Sequence, residues 1–288
     1  MPHVETLRGP VDTKDLGFTL MHEHVFVLSE GVPRTFPSVW DEEAEIASGR
    51  EKLQELYDLG VRTFVDLTVF GLTRDIPRVQ RVADDLPLNV IVATGLYTYN
   101  ELPSYFLNRD ADVMAELFAR DITEGIAGTG VKAAILKCAT DEPGLTPGVE
   151  KVLRAVARAH RRTGAPISTH THASTKRGLD QQRVFAEEGV DLSRVVIGHS
   201  GDSEDLGYLE ELMNHGSFIG MDRFGIDVYL TTEKRVAVIA RLCEKGYAGQ
   251  MVLSHDASCY LDWYPREAFQ AVPNWHFRHI SEAVLPAL

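Results

Sequence analysis

Eight short apolar or β-branched runs recur along the chain: FTLMHEHV, VRTFVDLT, LNVIVATG, VKAAILKC, APISTHT, RVVIGHS, SFIGMD and QMVLSHD. Longer charged segments with helical spacing separate them. WDEEAEIASGREKLQELYDLG carries Leu53, Leu56 and Leu59 and closes on Gly60. PGVEKVLRAVARAHRRTG places Val149, Val152, Leu153 and Val156 at i, i+3, i+4 and i+7. Strand then helix, about eight times over, predicts an α/β fold with parallel strands, and eight units is the count of a (β/α)8 TIM barrel. An open doubly wound sheet is the alternative. Against it, no G-x-G-x-x-G or P-loop pattern follows the first strand.

A chain of 288 residues, 44% hydrophobic, can bury one large core. No low-complexity segment or Pro/Ser-rich linker divides it, so residues 1–288 are expected to form a single barrel domain. The formal net charge of −13 argues against nucleic acid or an anionic membrane as partner. The three cysteines, Cys138, Cys243 and Cys259, are scattered, which suits a reducing cytosol better than a disulfide framework. The N-terminal MPHVETLRGPVD lacks a basic-then-apolar signal pattern, and no apolar run approaches the roughly 20 residues that span a bilayer. The expectation is a soluble cytoplasmic protein.

The strand ends carry the chemistry. The first run holds His22 and His24, the fourth Lys137, the fifth His170, the sixth His199 and the eighth Asp256. Alternation puts His22 and His24 on one face, which on a barrel strand can be the interior. Barrel active sites lie at the C-terminal mouth, so residues scattered over the sequence would converge there. A single buried histidine is more often a hydrogen-bonded core residue than a ligand. Four histidines and an aspartate, all at expected strand ends, point instead to a metal centre. His172 competes with His170 and ranks second because it sits further into the loop. His255 should face away from the centre, and Glu23 should point outward as a structural or supporting carboxylate that needs a partner. His3, His160, His215, His276 and His279 fall in the tail or in helical segments. Lys137 is the odd member, since an ammonium with an ordinary pKa of about 10.4 would repel cations. It is either an ordinary ion-paired lysine or a carbamate that bridges two metals, and spacing does not choose.

MHEHVFVL, ILKCAT, STHTHA, VIGHSGD and LSHDAS, in this order, resemble the phosphotriesterase family of the amidohydrolase superfamily. VATGLYTYNELPSYF, GMDRFG and VPNWHFRHISEAVLPAL are similar to its phosphotriesterase-like lactonase branch. The resemblance covers nearly the whole chain, although relatives usually continue beyond LPAL with another helical segment. It implies that His22, His24 and Asp256 hold a more buried metal and that His170 and His199 hold a more exposed one. Carboxylated Lys137 and a hydroxide would bridge the two. Arg223 and Tyr97 would line the substrate side, with Tyr99 and Trp263 shaping the pocket. Ser258 and Cys259 would belong to a specificity loop from Ala257 to about Pro273. The bare residues leave Arg223 open as a simple carboxylate partner, and Tyr97 and Trp263 as packing aromatics.

Nitrogen and oxygen ligands suit zinc, and also cobalt, manganese or iron. Two such ions ~3.5–4 Å apart lower the pKa of a shared water and polarise a substrate oxygen. The implied activity is opening of acyl-homoserine or related lactones by the bridging hydroxide. Tyr97 and the exposed metal would stabilise the oxyanion, and Asp256 would pass a proton to the leaving alkoxide. Weaker organophosphate triesterase activity would accompany it. The alternatives are a true phosphotriesterase, another amidohydrolase-type esterase, or a silent barrel that only binds metal. The expected partner is a small lactone or ester, and the expected assembly a homodimer.

Overall fold

Each of the eight apolar runs forms a parallel strand in the computed structural model, which describes residues 2–288. A hairpin of β1 (His3–Thr6) and β2 (Gly9–Asp12) precedes them and ties to the barrel through Leu7 N–H and the Val90 carbonyl at 2.7 Å. The barrel strands are β3 (Thr19–Val27), β4 (Thr63–Asp66), β5 (Asn89–Gly95), β6 (Ile135–Thr140), β7 (Ile167–Thr171), β8 (Val195–Ile197), β9 (Phe218–Met221) and β10 (Met251–Leu253). A further short strand, β11 (Ser258–Leu261), continues the eighth and pairs in parallel with β3. Neighbours in the sheet follow chain order from β3 to β10, as successive right-handed βα units require.

The segment between β10 and β11 closes the ring. His22 N–H donates to Ser254 Oγ at 2.8 Å, Asp256 N–H to the His22 carbonyl at 3.1 Å, and His24 N–H to the Ala257 carbonyl at 2.9 Å. The result is the expected (β/α)8 barrel. Seven outer helices, at Glu42–Asp58, Ile76–Ala83, Ala111–Thr123, Pro147–Thr163, Arg177–Glu187, Leu206–Asn214 and Thr232–Glu244, cover its wall. The eighth position is filled by shorter turns at Ile280–Val284 and Leu285–Ala287.

Helix starts follow side-chain chemistry. Asp41, Asp75, Asp110, Thr146, Asp205 and Thr231 each accept a backbone N–H from the first turn. The Pro147–Thr163 helix buries Val149, Val152, Leu153 and Val156, as its spacing predicts, and ends on Gly164 at φ 76°.

The inner face of the sheet carries Val65, Ile91, Ala93 and Ile135, while Leu20, Phe64, Val90 and Leu136 pack outward under the helices. One irregularity matters for the site. Between Leu20/Phe64 and Glu23/Asp66 the register of β3 gains a residue over β4. This bulge reverses the alternation, so His22 and His24 point inward although Leu20 points outward. Gly95, at φ 144°, leaves room for β6: a Cβ there would stand 1.8 Å from the Lys137 carbonyl oxygen.

Candidate metal centre

His22, His24, Lys137, His170, His199 and Asp256 all line one cavity of about 320 Å³ at the C-terminal mouth. His22 and Lys137 reach it from the middle of β3 and β6, not from their ends, because both strands run on to Val27 and Thr140. His199 and Asp256 follow β8 and β10 in left-handed conformations, φ 57° and 54°. His170 is the penultimate residue of β7.

The Asp256 carboxylate is the meeting point. Its Oδ1 lies 3.4 Å from His22 Nε2 and 3.3 Å from His24 Nε2, and its Oδ2 lies 3.7 Å from His199 Nε2. Ligand atoms of His22, His199 and Asp256 fall within 4.8 Å of one another. The far nitrogens are held by residues that the sequence reading missed. Asp222 accepts from Nδ1 of His22 at 2.7 Å, and from Nδ1 and the backbone N–H of His199 at 3.0 and 2.7 Å. Thr68 Oγ1 meets Nδ1 of His24 at 2.9 Å. Asp141 holds Nε2 of His170, whose Nδ1 faces the Tyr97 hydroxyl at 3.3 Å. An imidazole that donates from one nitrogen presents a lone pair at the other, which is how histidine ligands are oriented. Asp222 follows β9 in GMDRFG and Asp141 follows β6 in ILKCATD, so placement just past a strand end was the one available clue; Thr68 carried none.

Burial lowers the pKa of His22 and His199 and takes His170 to about 4, so these rings are neutral at physiological pH. For Asp256, burial works upward but is outweighed by His199, His22, the His24 hydrogen bond and Arg223, leaving the carboxylate well below its usual range. Burial also brings Lys137 down to about 8. Its Nζ sits 2.7 Å from His22 Nε2.

Tyr97, Tyr99, Arg223, Ser258 and Trp263 line the same cavity. Arg223 Nε donates to Asp256 Oδ2 at 3.1 Å and its Nη1 to Asp202 Oδ2 at 3.1 Å. Asp202 is anchored in turn by fully buried Arg235 at 2.7 Å. The simple carboxylate-pairing role and the substrate-side position of Arg223 therefore coexist. The Tyr97 and Tyr99 hydroxyls touch, and the Trp263 ring centre lies 6.0 Å from that of Tyr97.

Two further expectations change. Residues 258–261 form β11 rather than loop, and Cys259 turns away from the cavity toward Gly49. The segment after β11 supplies part of the cavity wall, including Trp263 and Phe269. His172 stays outside the centre, as its ranking behind His170 anticipates; its Nδ1 bonds Thr175 Oγ1 at 2.8 Å. His3 lies in β1 rather than in a loose tail. Glu23 and His255 do face away from the cavity and bind each other.

Buried neutral imidazoles with inward-facing nitrogens, one low-pKa carboxylate and a depressed lysine form a donor set that fits divalent cations. The fold and site together define a (β/α)8 barrel protein with a histidine-rich centre at the barrel mouth. A model of the Phosphotriesterase family matches residues 2–288, and the chain belongs to that family. It is 61% identical over 297 residues to a phosphotriesterase homology protein of Mycobacterium tuberculosis, covering 100% of this chain and 91% of the relative. It is 43% identical over 284 residues to an aryldialkylphosphatase of Saccharolobus solfataricus, covering 98% and 90%. The solved structure of the phosphotriesterase from Mycobacterium tuberculosis superposes with a TM-score of 0.97 at 60% identity, covering 100% of this chain and 91% of that one.

Proposed function

We propose that this hydrolase is a two-metal lactonase that opens N-acyl-homoserine or related lactones, with weaker organophosphate triesterase activity. One observation carries the reading: the inward imidazole nitrogens and Asp256 share a single cavity with the Tyr97 hydroxyl, Arg223 and an apolar wall that includes Val27, Leu72, Leu261 and Phe269. That wall suits an acyl chain and the polar end suits a carbonyl. The triesterase side activity is supported by the 43% identical relative named aryldialkylphosphatase.

His22, His24 and Asp256 would hold one ion, His170 and His199 the other, and Lys137 would bridge as a carbamate. With its pKa at about 8, roughly a tenth of Lys137 is neutral amine at pH 7. The amine nitrogen adds to carbon dioxide and releases a proton, which turns a repelling cation into an anion. Divalent ions, when bound, supply an acidified water and polarisation of the substrate oxygen.

The chain's own groups account for the rest. Burial, and then Tyr99, raise the Tyr97 pKa well above 10, so its hydroxyl stays a donor and can stabilise the oxygen of the opening carbonyl. Despite burial, Asp202 and Asp256 keep Arg223 cationic, which fixes the Asp256 carboxylate from the substrate side. Asp256 accepts a proton from the attacking water as the new C–O bond forms. Its low basicity favours return of that proton to the leaving alkoxide as the ring C–O bond breaks. The net products are a hydroxy acid and, at neutral pH, a released proton.

The test is a pH-indicator assay of zinc- or cobalt-loaded protein on a long-chain acyl-homoserine lactone, beside paraoxon. Lactone kcat/KM well above triester kcat/KM is the expected result. Triester turnover alone would place the protein among true phosphotriesterases, and inactivity on both with metal bound would remove the lactonase reading.

A further inference from the structure

Asp256 sits at φ 54°, in the left-handed region that residues other than glycine rarely adopt unless the surroundings enforce it. Its neighbours supply the enforcement. Glu23, between His22 and His24, points through the other face of β3 and is fully buried. Its Oε1 accepts from the His255 backbone N–H at 2.8 Å and from His255 Nδ1 at 2.7 Å. Its Oε2 accepts from the Ala257 backbone N–H at 2.9 Å. Both peptide N–H groups flanking Asp256 therefore end on one carboxylate.

His255 is fixed from the far side. Its Nε2 accepts the Ile280 backbone N–H at 3.0 Å, and its carbonyl accepts the Trp275 indole N–H at 3.0 Å. A peptide N–H can only donate, so the His255 proton resides on Nδ1, facing Glu23. Three donors satisfy the buried carboxylate without an arginine or lysine, and all three belong to the residues on either side of Asp256.

The geometry points to Glu23 and His255 as positioning residues of the metal centre. Together they form a bracket behind the barrel wall that sets where the Asp256 carboxylate stands relative to His22 and His24. The inference rests on the metal-centre reading above. Three consecutive residues of β3 thus act on both sides of the wall: two imidazoles face the ions, and the carboxylate between them holds the opposing ligand. Through Trp275 and Ile280 the same bracket ties the C-terminal segment to the centre.

Cobalt(II) titration of metal-free protein tests this, followed by visible absorption. Wild type is expected to take up two equivalents. Glu23→Gln replaces one accepting oxygen with an amide that faces an N–H donor. It is expected to weaken at least one equivalent by 10- to 100-fold and to change the cobalt absorption bands, while the metal-free protein keeps its circular dichroism. Val195→Ala, a cavity variant in β8 remote from the bracket, serves as the stability control and should keep wild-type affinity and bands. If Glu23→Gln does not fold, His255→Asn decides on the same readouts, because it keeps a donor toward Glu23 and loses the acceptor for Ile280. Wild-type affinity and bands in the folded variant would overturn the positioning role. A wild type that binds no cobalt would instead overturn the metal-centre reading itself.

Discussion

Lys137 Nζ lies 2.7 Å from His22 Nε2, at the bottom of the cavity. An ammonium there donates into the lone pair that a cation would otherwise use. Carbamate formation consumes neutral amine, whose fraction rises with pH through about 8. Recovery of lactonase activity by metal-free protein is therefore expected to increase between pH 7 and pH 9 at fixed dissolved carbon dioxide and saturating metal. Recovery that ignores carbon dioxide would leave Lys137 as an ordinary lysine. Lys137→Ala should lower kcat by about 10²- to 10³-fold, as loss of one oriented polar group of an active site can.

Asp222 orients two imidazoles at once. Asp222→Asn keeps the size and offers a single acceptor in place of two. Metal affinity should fall by about 10- to 100-fold, measured by chelator competition. Unchanged affinity would mean that packing alone sets the two rings.

The Tyr97 hydroxyl is the donor nearest His170 Nδ1, at 3.3 Å. Tyr97→Phe should cut lactone kcat by roughly 10- to 100-fold while KM changes less than threefold, because the bond strengthens only as charge develops on the oxygen. An equal rise in KM with unchanged kcat would assign Tyr97 to ground-state binding.

Glu188 bridges two outer helices by accepting from Arg154 and Arg158 at 3.1–3.2 Å. The Arg158 hydrogen bonds, outweighing burial, hold its pKa below the ordinary 4.5. A depressed carboxylate stabilises the fold above its unfolded pKa and loses that contribution as pH falls through the folded one. Glu188→Gln should lower Tm by about 2 °C at pH 7, on the order of 1 kcal/mol. The gap to wild type should narrow as pH falls below the ordinary 4.5 and close once pH is below the depressed folded value. A gap that persists there would point to shape rather than charge.

Much of the site was legible because metal ligands are few in kind and barrel strands deliver them to one place. His22, His24, Lys137, His170, His199 and Asp256 were all visible as residues of apolar runs. Their supports were not. Asp141, Asp222 and Thr68 are ordinary polar residues until a distant imidazole is set beside them. The hairpin β1–β2 and strand β11 also escaped, since four-residue strands carry too few alternations to stand out.

The order of strands and helices, the helix caps and the identity of the inward-facing polar residues were set by local pattern, because period and turn chemistry act over a few residues. The direction in which His22 and His24 point was not. Simple alternation from Leu20 would carry His22 outward, and the bulge against β4 brings it in. The turn at Asp256 likewise depends on Glu23, 233 positions away from it in sequence and in contact with its two neighbours. Register and buried hydrogen bonding are settled only when separate segments meet, and in this protein they decide which face of β3 holds the centre and which face holds it in place.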